Sequence, residues 1–350
     1  MSPEIYMRRC LQLAGLGLGS VAPNPMVGAV LVHEEGVIGE GWHARFGEAH
    51  AEVNAVREAL ERGHGAMLAS STLYVSLEPC SHFGKTPPCT ELIITHRIPK
   101  VVVGCRDPFP EVNGRGILRL REAGVEVTEG LLEAECRDLN RRFFVFTRSH
   151  RPYVILKWAE TADGRIGMPG ERTQISGEYS RRLVHKWRSE EAAILVGTRT
   201  AIVDDPALTT REWIGKNPLR LVVDMDLELP GSLKLMNGDA PTLVFNARRH
   251  DPGPVQGGGV GYYQVTTDVS LVPQILNALH QMSIQSVIVE GGARLLQSFI
   301  DERCWDEARI IRAEEKMLAG GLPAPVLNDA VLVDEQQLAS DRVLWFRRKG

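Results

Sequence analysis

What this 350-residue chain lacks excludes several classes of protein. No apolar run approaches the roughly 20 residues of a membrane-spanning helix, and residues 1–4 lack the basic-then-apolar layout of a signal peptide. The six cysteines show no disulfide-framework spacing. A formal net charge of −4 argues against a general nucleic-acid surface. We therefore expect a cytoplasmic protein with neither nucleic acid nor membrane as a partner.

A Rossmann dinucleotide fingerprint is also absent, because no Gly-x-Gly-x-x-Gly follows a predicted strand. Two glycine-rich stretches, at 15–19 and 257–261, lie in the wrong context for it. We interpret the first as a helix end and the second as a mobile loop. A nucleotide site, if the chain has one, must be built differently.

The residues that are present indicate two α/β domains. A hydrophobic content of 43% and a charged content of 24% are typical of a globular protein, and the length favours two domains. The first half predicts a helix from Ser2-Pro3-Glu4, then strands at 26–33, 37–42, 72–77, 101–105 and 125–128 among helices, which is a three-layer arrangement. The second half predicts strands at 153–158, 192–196, 219–224, 242–245 and 286–290, with helices at 177–189, 270–282 and 292–301. A polar joint at 147–152 places the domains at 1–147 and 148–350.

Four residues of the first half form a set suited to zinc hydrolysis. His50, Cys80 and Cys89 can hold Zn²⁺ with its fourth position open, while Glu52 moves protons without being a ligand. Residues two apart on a helix point about 200° apart, so the metal must lie beyond a helix N-terminus. The alternative is that these residues are ordinary, since a free cysteine often behaves as a small buried hydrophobe.

Local sequence signals agree with the metal set. His50 opens an apolar-periodic run that ends at Gly63, as a helix does. Cys89 follows Pro87-Pro88 and begins another run, which predicts a second helix start. Cys80 follows the predicted strand 72–77 directly after Glu78-Pro79, and a strand end is a rigid mount for a ligand.

The first 145 or so residues resemble the deaminase half of the bifunctional riboflavin-biosynthesis deaminase-reductase family, which has a cytidine-deaminase-like fold. The resemblance is carried by the stretches 22–30, Gly41-Trp42-His43, 50–55, 78–89 and Gly114-Arg115-Gly116. Eight residues separate the two cysteines, whereas the usual zinc-deaminase signature has two. The resemblance implies that His50, Cys80 and Cys89 bind zinc and that Glu52 shuttles the proton to the departing ammonia. The implied substrate is 2,5-diamino-6-ribosylamino-4(3H)-pyrimidinone 5′-phosphate.

Four further residues are candidate substrate contacts. The Asn24 amide can pair with a pyrimidine edge, although Asn-Pro is also a common turn starter. His43 is either a substrate contact or a structural histidine, and Lys85 is either a phosphate contact or a solvated loop lysine. Asp107 follows a buried-looking strand, at the end where α/β ligand sites gather. Many relatives carry Asn two residues later, where this chain has Phe109.

Residues from about 150 to 300 resemble the reductase half of the same family, whose fold is similar to dihydrofolate reductase. The motifs that carry the resemblance are 157–164, 196–200, 204–209 and 290–292. They imply NADPH-dependent reduction of the ribosyl group to a ribityl chain. The implied cofactor contacts are Ala159, Gln174, Thr200, Asp204, Gly291, Gly292, Ala293 and Arg294. The implied substrate contacts are Arg172, Arg188, Leu208, Arg211 and Glu290.

Some of these residues also have a physical argument of their own. Gly291-Gly292 lies between a predicted strand and a predicted helix. A glycine turn at this place lets a phosphate approach the N-terminus of the helix. A simple strand-helix turn without a ligand has the same sequence pattern. Arg188 and Arg211 carry guanidinium forks that match a phosphate dianion. Arg188 next to Glu190 could equally belong to a solvated helix face.

Two departures from the family and two rival functions remain. The polar run around 312–316 predicts an interruption of the last strands and of any dimer contact built from them, and the sequence leaves a homo-oligomer open. Around 169–175 the chain is also about one residue shorter than common relatives of the family.

The first rival function is that of a monofunctional zinc deaminase for nucleosides or tRNA adenosine, whose second domain merely binds a ligand. The second is a zinc-stabilised binding module without chemistry.

Overall fold

The structure, a computed structural model, describes residues 2–34, 36–81, 87–110, 112–253 and 258–349. It divides into two compact units, Met1–His150 and Arg151–Gly350. The last helix of the first unit continues to Ser149, so the compact unit ends three residues beyond the boundary that the polar joint predicts.

The first unit alternates helices and strands around one sheet. Its helices are α1 (Pro3–Gly15), α2 (Ala51–Glu61), α3 (Cys89–Thr95), α4 (Arg115–Glu122), α5 (Glu133–Leu139) and α6 (Arg141–Ser149), with a 3₁₀ helix at Gly65–Ser70. Its strands are β1 (Gly28–His33), β2 (Gly36–Trp42), β3 (Thr72–Leu77), β4 (Lys100–Cys105) and β5 (Glu126–Glu129). Among the described residues the strand order is β2-β1-β3-β4-β5, and β1 is antiparallel to both neighbours while β3, β4 and β5 are parallel.

The sheet of the first unit has a hydrophobic layer on each face. Successive side chains of a strand point to opposite faces, so β3 sends Leu73 and Val75 to one layer and Tyr74 to the other. The apolar faces of α2, α3 and α4 cover the first layer, and those of α1, α5 and α6 cover the second. This confirms the three-layer arrangement that the sequence predicts.

The second unit is built on a larger, mostly parallel sheet. Its strands are β6 (Tyr153–Thr161), β7 (Ala193–Gly197), β8 (Leu219–Val223), β9 (Thr242–Asn246), β10 (Val260–Gln264), β11 (Ser286–Gly291), β12 (Glu307–Ala313), β13 (Ala330–Leu338) and β14 (Asp341–Arg348). Its helices are α7 (Glu178–Glu190), α8 (Thr198–Asp204), α9 (Leu271–Gln281) and α10 (Ala293–Asp301). Within the described chain the order is β10-β9-β8-β7-β11-β6-β12-β14-β13, with antiparallel pairing only where β14 meets β12 and β13.

Two sequence predictions for this unit are wrong. The polar run around 312–316 does not prevent the last strands from forming, since β12 extends to Ala313 and β13 and β14 follow. Arg312 lies within β12 and binds the buried Glu160 carboxylate, with its Nε and Nη2 atoms 2.8 and 2.6 Å from one oxygen. The second glycine-rich stretch is not wholly a loop, since β10 begins at Val260. In the portion of the chain that is described, no helix has the length and apolar character needed to cross a membrane.

Candidate zinc and reductase sites

The three predicted metal ligands converge although they are far apart in sequence. His50 is the N-cap of α2, Cys80 follows the end of β3, and Cys89 is the first residue of α3. His50 Nδ1 lies 3.3 Å from Cys89 Sγ and 3.6 Å from Cys80 Sγ, and all three donor atoms lie within 4.8 Å of one another. Ligand atoms on a tetrahedral zinc are separated by roughly 3.5 Å, so this donor set fits the ion.

The surroundings of Cys80 favour its thiolate. Hydrogen bonding from the Cys89 thiol lowers the pKa of Cys80, and His50 and the Cys89 backbone N–H, 3.3 Å from Cys80 Sγ, act in the same direction. A thiolate is the form of cysteine that binds metal. The hydrogen bond to Cys80 and burial raise the pKa of Cys89, so Cys80 is the member of the pair that carries the negative charge.

Glu52 lies on the first turn of α2, beside the three donors but outside the set that they form. Its side chain is buried, and this burial, together with the nearby Cys80, raises the pKa of Glu52 to about 7. A carboxyl group with a pKa near neutrality can both take up and release a proton. This is the property that a proton shuttle requires.

Asn24 and His43 lie next to the metal donors. The Asn24 Nδ2 donates to His43 Nε2 at 3.1 Å, and His43 Nδ1 donates to the Ala49 carbonyl at 3.1 Å. The His43 ring stands edge-on to the His50 ring, with centroids 5.5 Å apart. Burial lowers the pKa of His43, so its neutral form is favoured. The structure thus brings both predicted substrate contacts to the metal set, with His43 orienting the Asn24 amide.

Two further candidate substrate contacts of this unit are Asp107 and Lys85. Asp107 is buried, and its carboxylate accepts the Phe109 N–H at 2.8 Å, as in an Asx turn. Lys85 lies outside the described residues.

In the second unit, the Gly291-Gly292 turn joins β11 to α10 and contacts Thr200 on α8. A Cβ on Gly292 would lie 3.0 Å from Thr200 Oγ1, and one on Gly291 would lie 3.2 Å from it. Such distances are tight, so a larger residue at either position would require the Thr200 side chain to shift by a few tenths of an ångström. Ala293 begins α10 directly after the turn.

The other implied cofactor contacts are more scattered. Ala159 lies on β6, and Arg294 lies on the first turn of α10. Asp204 is the last residue of α8, where burial raises its pKa while Arg172 opposes that rise. Gln174 donates to the Ser176 carbonyl at 2.8 Å.

Glu290 forms the centre of a buried charge cluster at the end of β11. The Arg188 guanidinium binds both Glu290 carboxylate oxygens, at 2.9 and 2.7 Å, and Lys157 Nζ lies 3.7 Å away. Although burial opposes it, the attraction of Arg188 and then Lys157 lowers the pKa of Glu290 to about 2. Arg188 is therefore a buried, paired residue, and its interpretation as part of a solvated helix face is wrong.

Arg211 and Arg172 lie near this cluster. Burial lowers the pKa of Arg211, and the positive charges of Arg188 and Arg172 add to the effect. The Arg211 backbone N–H donates to His185 Nδ1 at 3.2 Å, and Leu208 is buried in a left-handed conformation with φ of 52°. Several cationic groups thus gather where an anion would relieve their mutual repulsion.

Three residues of these sites are absent from the sequence predictions. Lys157 could have been found from the sequence, because it is a lysine inside an otherwise apolar strand. His185 carries none, because its partner Arg211 lies 26 residues away in sequence. Glu78 accepts four backbone N–H groups from a segment about 30 to 40 residues further on. Its role could not be read from the Glu-Pro-Cys sequence.

The site and the fold of the first unit are those of a zinc-dependent cytidine-deaminase-like enzyme, here joined to a reductase unit. Residues 1–105 match the family model of the cytidine and deoxycytidylate deaminase zinc-binding region, and residues 152–337 match that of the RibD C-terminal domain. The chain belongs to the riboflavin biosynthesis protein RibD family.

Individual relatives cover nearly the whole chain. The riboflavin biosynthesis protein RibD of Aquifex aeolicus is 39% identical over 98% of both chains, and that of Escherichia coli is 42% identical over 88% of this chain and 86% of its own. A Thermotoga maritima structure, a diaminohydroxyphosphoribosylaminopyrimidine deaminase/5-amino-6-(5-phosphoribosylamino)uracil reductase, is 35% identical with a TM-score of 0.90 over 99% of this chain and 98% of its own. The structure of Acinetobacter baumannii RibD is 33% identical in sequence to this chain, with a TM-score of 0.87 over 99% of both chains.

These relationships establish what kind of enzyme the chain is. It is a bifunctional deaminase and reductase of riboflavin biosynthesis that acts on a small pyrimidine, with zinc in the deaminase domain and NADPH as reductant. The rival functions, a monofunctional deaminase and a binding module without chemistry, are not favoured.

Proposed function

We propose that the chain removes the 2-amino group of 2,5-diamino-6-ribosylamino-4(3H)-pyrimidinone 5′-phosphate and then reduces the ribosyl group of the product to ribityl. The observation that carries the proposal is the convergence of His50, Cys80 and Cys89 beside the buried Glu52. The substrate is the one that the Thermotoga relative's name describes.

In the deaminase unit, His50, Cys80 and Cys89 hold the zinc, which supplies Lewis acidity for hydrolysis. Glu52 takes a proton from the attacking water and delivers it to the departing amino group, a task that suits its pKa of about 7. Asn24, oriented by His43, pairs with the pyrimidine edge. Lys85 and Asp107 stay as proposed substrate contacts on the strength of the resemblance alone.

In the reductase unit, NADPH supplies the hydride. Thr200 and the Gly291-Gly292-Ala293-Arg294 turn hold the cofactor, because the turn leaves backbone N–H groups at the start of α10 for a phosphate. Ala159, Gln174 and Asp204 complete the proposed cofactor site.

The 5′-phosphate of the substrate binds Arg211 and Arg172 rather than Arg188. The Arg188 fork is already occupied by the Glu290 carboxylate. Burial and the nearby positive charges of Arg188 and Arg172 lower the pKa of Arg211, so an anion bound there would offset the repulsion. Arg188, Leu208 and Glu290 then shape the remaining wall of the substrate site.

The reductase assignment is tested with the deaminated pyrimidine phosphate and NADPH. We expect the parent protein to oxidise NADPH, and Arg211→Gln to raise KM for the phosphorylated substrate about tenfold or more, since a charged hydrogen bond is worth about 1.5–3 kcal/mol. Arg303→Gln, which removes an exposed pair with Asp329, serves as the matched control. NADPH oxidation that needs no pyrimidine, or an unchanged KM in Arg211→Gln, would contradict the proposal.

Location and assembly belong to the proposal as well. All six cysteines are free, as is typical of the reducing cytoplasm, and the net negative charge disfavours nucleic acid and anionic membranes. β13 lies at a sheet edge with Val331, Leu332 and Val333 exposed, which supports a homo-oligomer formed through this strand.

A further inference from the structure

Glu78 makes an unusual set of hydrogen bonds at the end of β3. Its buried carboxylate accepts the Gly114 N–H at 2.9 Å and the Asp107 N–H at 3.3 Å on one oxygen. The other oxygen accepts the Gly116 N–H at 2.9 Å and the Ile117 N–H at 3.3 Å. All four donors belong to the backbone of one segment, residues 107–117, of which 111 is not described.

The same segment also touches the residue between Glu78 and Cys80. A Cβ on Gly116 would lie 2.0 Å from the Pro79 carbonyl oxygen and 3.2 Å from Glu78 Oε1, so only glycine allows this approach. Gly114 has φ of 81°, which also favours glycine. The Glu78-Pro79-Cys80 and Gly114-Arg115-Gly116 sequences are therefore two halves of one packed structure.

The chemistry of the contact requires a carboxylate. Four N–H donors need four acceptor positions, and an ionised carboxylate offers them without presenting a donor of its own. The amide of glutamine has one acceptor oxygen, and its NH₂ group would face two of the four N–H donors. The position therefore distinguishes Glu from Gln although the two side chains have the same shape.

We propose that Glu78 is a positioning residue of the zinc site. By fixing residues 107–117 to the end of β3, it sets the place of Cys80, two residues further on, and so the geometry of the His50, Cys80 and Cys89 donors. Glu78 makes no contact with the metal donors in this role and acts through the backbone. The inference rests on the proposed function of the deaminase unit.

The test compares Glu78→Gln and Glu78→Asp with the parent in full-length protein. Zinc retention is measured by competition with a chromogenic chelator, and ammonia release and NADPH oxidation are followed on the same samples. We expect Glu78→Gln to hold zinc about tenfold less tightly, within the range seen when residues that support metal ligands are changed. Glu78→Asp, which keeps the charge, is expected to retain more of the zinc affinity. With the deaminated pyrimidine phosphate supplied as substrate, NADPH oxidation should stay at the parental rate in both variants.

Glu40→Gln is the matched control, because it removes a carboxylate that binds the Arg9 guanidinium at two positions, on strand β2. It should retain zinc as the parent does. Parental zinc affinity in Glu78→Gln would overturn the proposal while leaving deamination by the parent protein intact. Loss of the circular dichroism of the deaminase unit in both Glu78 variants would also overturn it, since Glu78 would then be a general determinant of folding. A parent that binds no zinc would instead overturn the proposed function.

Discussion

In the proposed mechanism, Glu52 is the residue on which deamination depends most directly. Its environment differs from that of an ordinary glutamate, since it is buried on α2 beside the metal donors and its pKa is raised to about 7 by that burial. The carboxyl group needs no new conformation to exchange a proton near neutral pH. The chemistry of the unit therefore depends on one buried side chain and three ligands.

Replacing this carboxyl group should remove catalysis without removing the metal. We expect Glu52→Gln to release ammonia about 10²- to 10⁴-fold more slowly, because proton transfer by a positioned group contributes about that much. Zinc content, measured on the same sample, should match the parent. A variant that binds zinc and deaminates at the parental rate would show that Glu52 is not the proton shuttle.

The sequence predicts the place of a functional residue where the neighbouring residues mark the start or end of a helix or strand. His50, Cys80 and Cys89 could be predicted because each lies at or within a few residues of the end of an element that its neighbours in sequence define. Glu78 and His185 could not, because their partners lie far along the chain.

At the scale of elements, the fold was predictable where periodicity was strong. β3 occupies the predicted residues 72–77, and α7, α9 and α10 lie within a residue or two of their predicted bounds. The short helix α8 was missed because seven residues give little periodicity. The last strands were expected to be interrupted because Arg312 is charged, and its partner Glu160 lies 152 residues away in sequence.

β8 carries a second buried arginine that ties loops to the sheet. Arg220, only 1% exposed, donates to the carbonyls of Lys234 at 2.9 Å, Ala240 at 2.5 Å and Ala207 at 3.4 Å. Lys234 in turn donates its N–H to Asp205 at 2.8 Å. The arginine thus fixes the segment that follows α8 and contains the proposed substrate contact Leu208.

Removing this guanidinium should destabilise the reductase unit. Arg220→Met leaves buried carbonyls without donors, so we expect the free energy of unfolding to fall by about 2–4 kcal/mol. Urea unfolding followed by tryptophan fluorescence measures the change. Arg248→Met, which removes an exposed pair with Asp226, should stay within about 0.5 kcal/mol of the parent. Equal unfolding midpoints for Arg220→Met and the parent would contradict this role.

At the scale of the whole molecule, the two reactions belong to two units, each with its own hydrophobic core. The buried apolar residues of Met1–His150 and those of Arg151–Gly350 form distinct clusters, and each unit carries its own proposed site. The two-domain organisation was predictable because each half has its own alternation of strands and helices. The polar joint gave only an approximate boundary, since α6 continues through part of it.

The proposed function requires that one chain performs both reactions in order. The most direct measurement supplies the diaminopyrimidine phosphate and NADPH to the parent protein and follows ammonia release and NADPH oxidation together. We predict that ammonia appears first and that NADPH oxidation follows it. Glu52→Gln should abolish both signals, and adding the deaminated pyrimidine phosphate should restore NADPH oxidation alone. Ammonia release without any NADPH oxidation, or NADPH oxidation by Glu52→Gln on the diaminopyrimidine itself, would show that the two reactions do not follow one another in this chain.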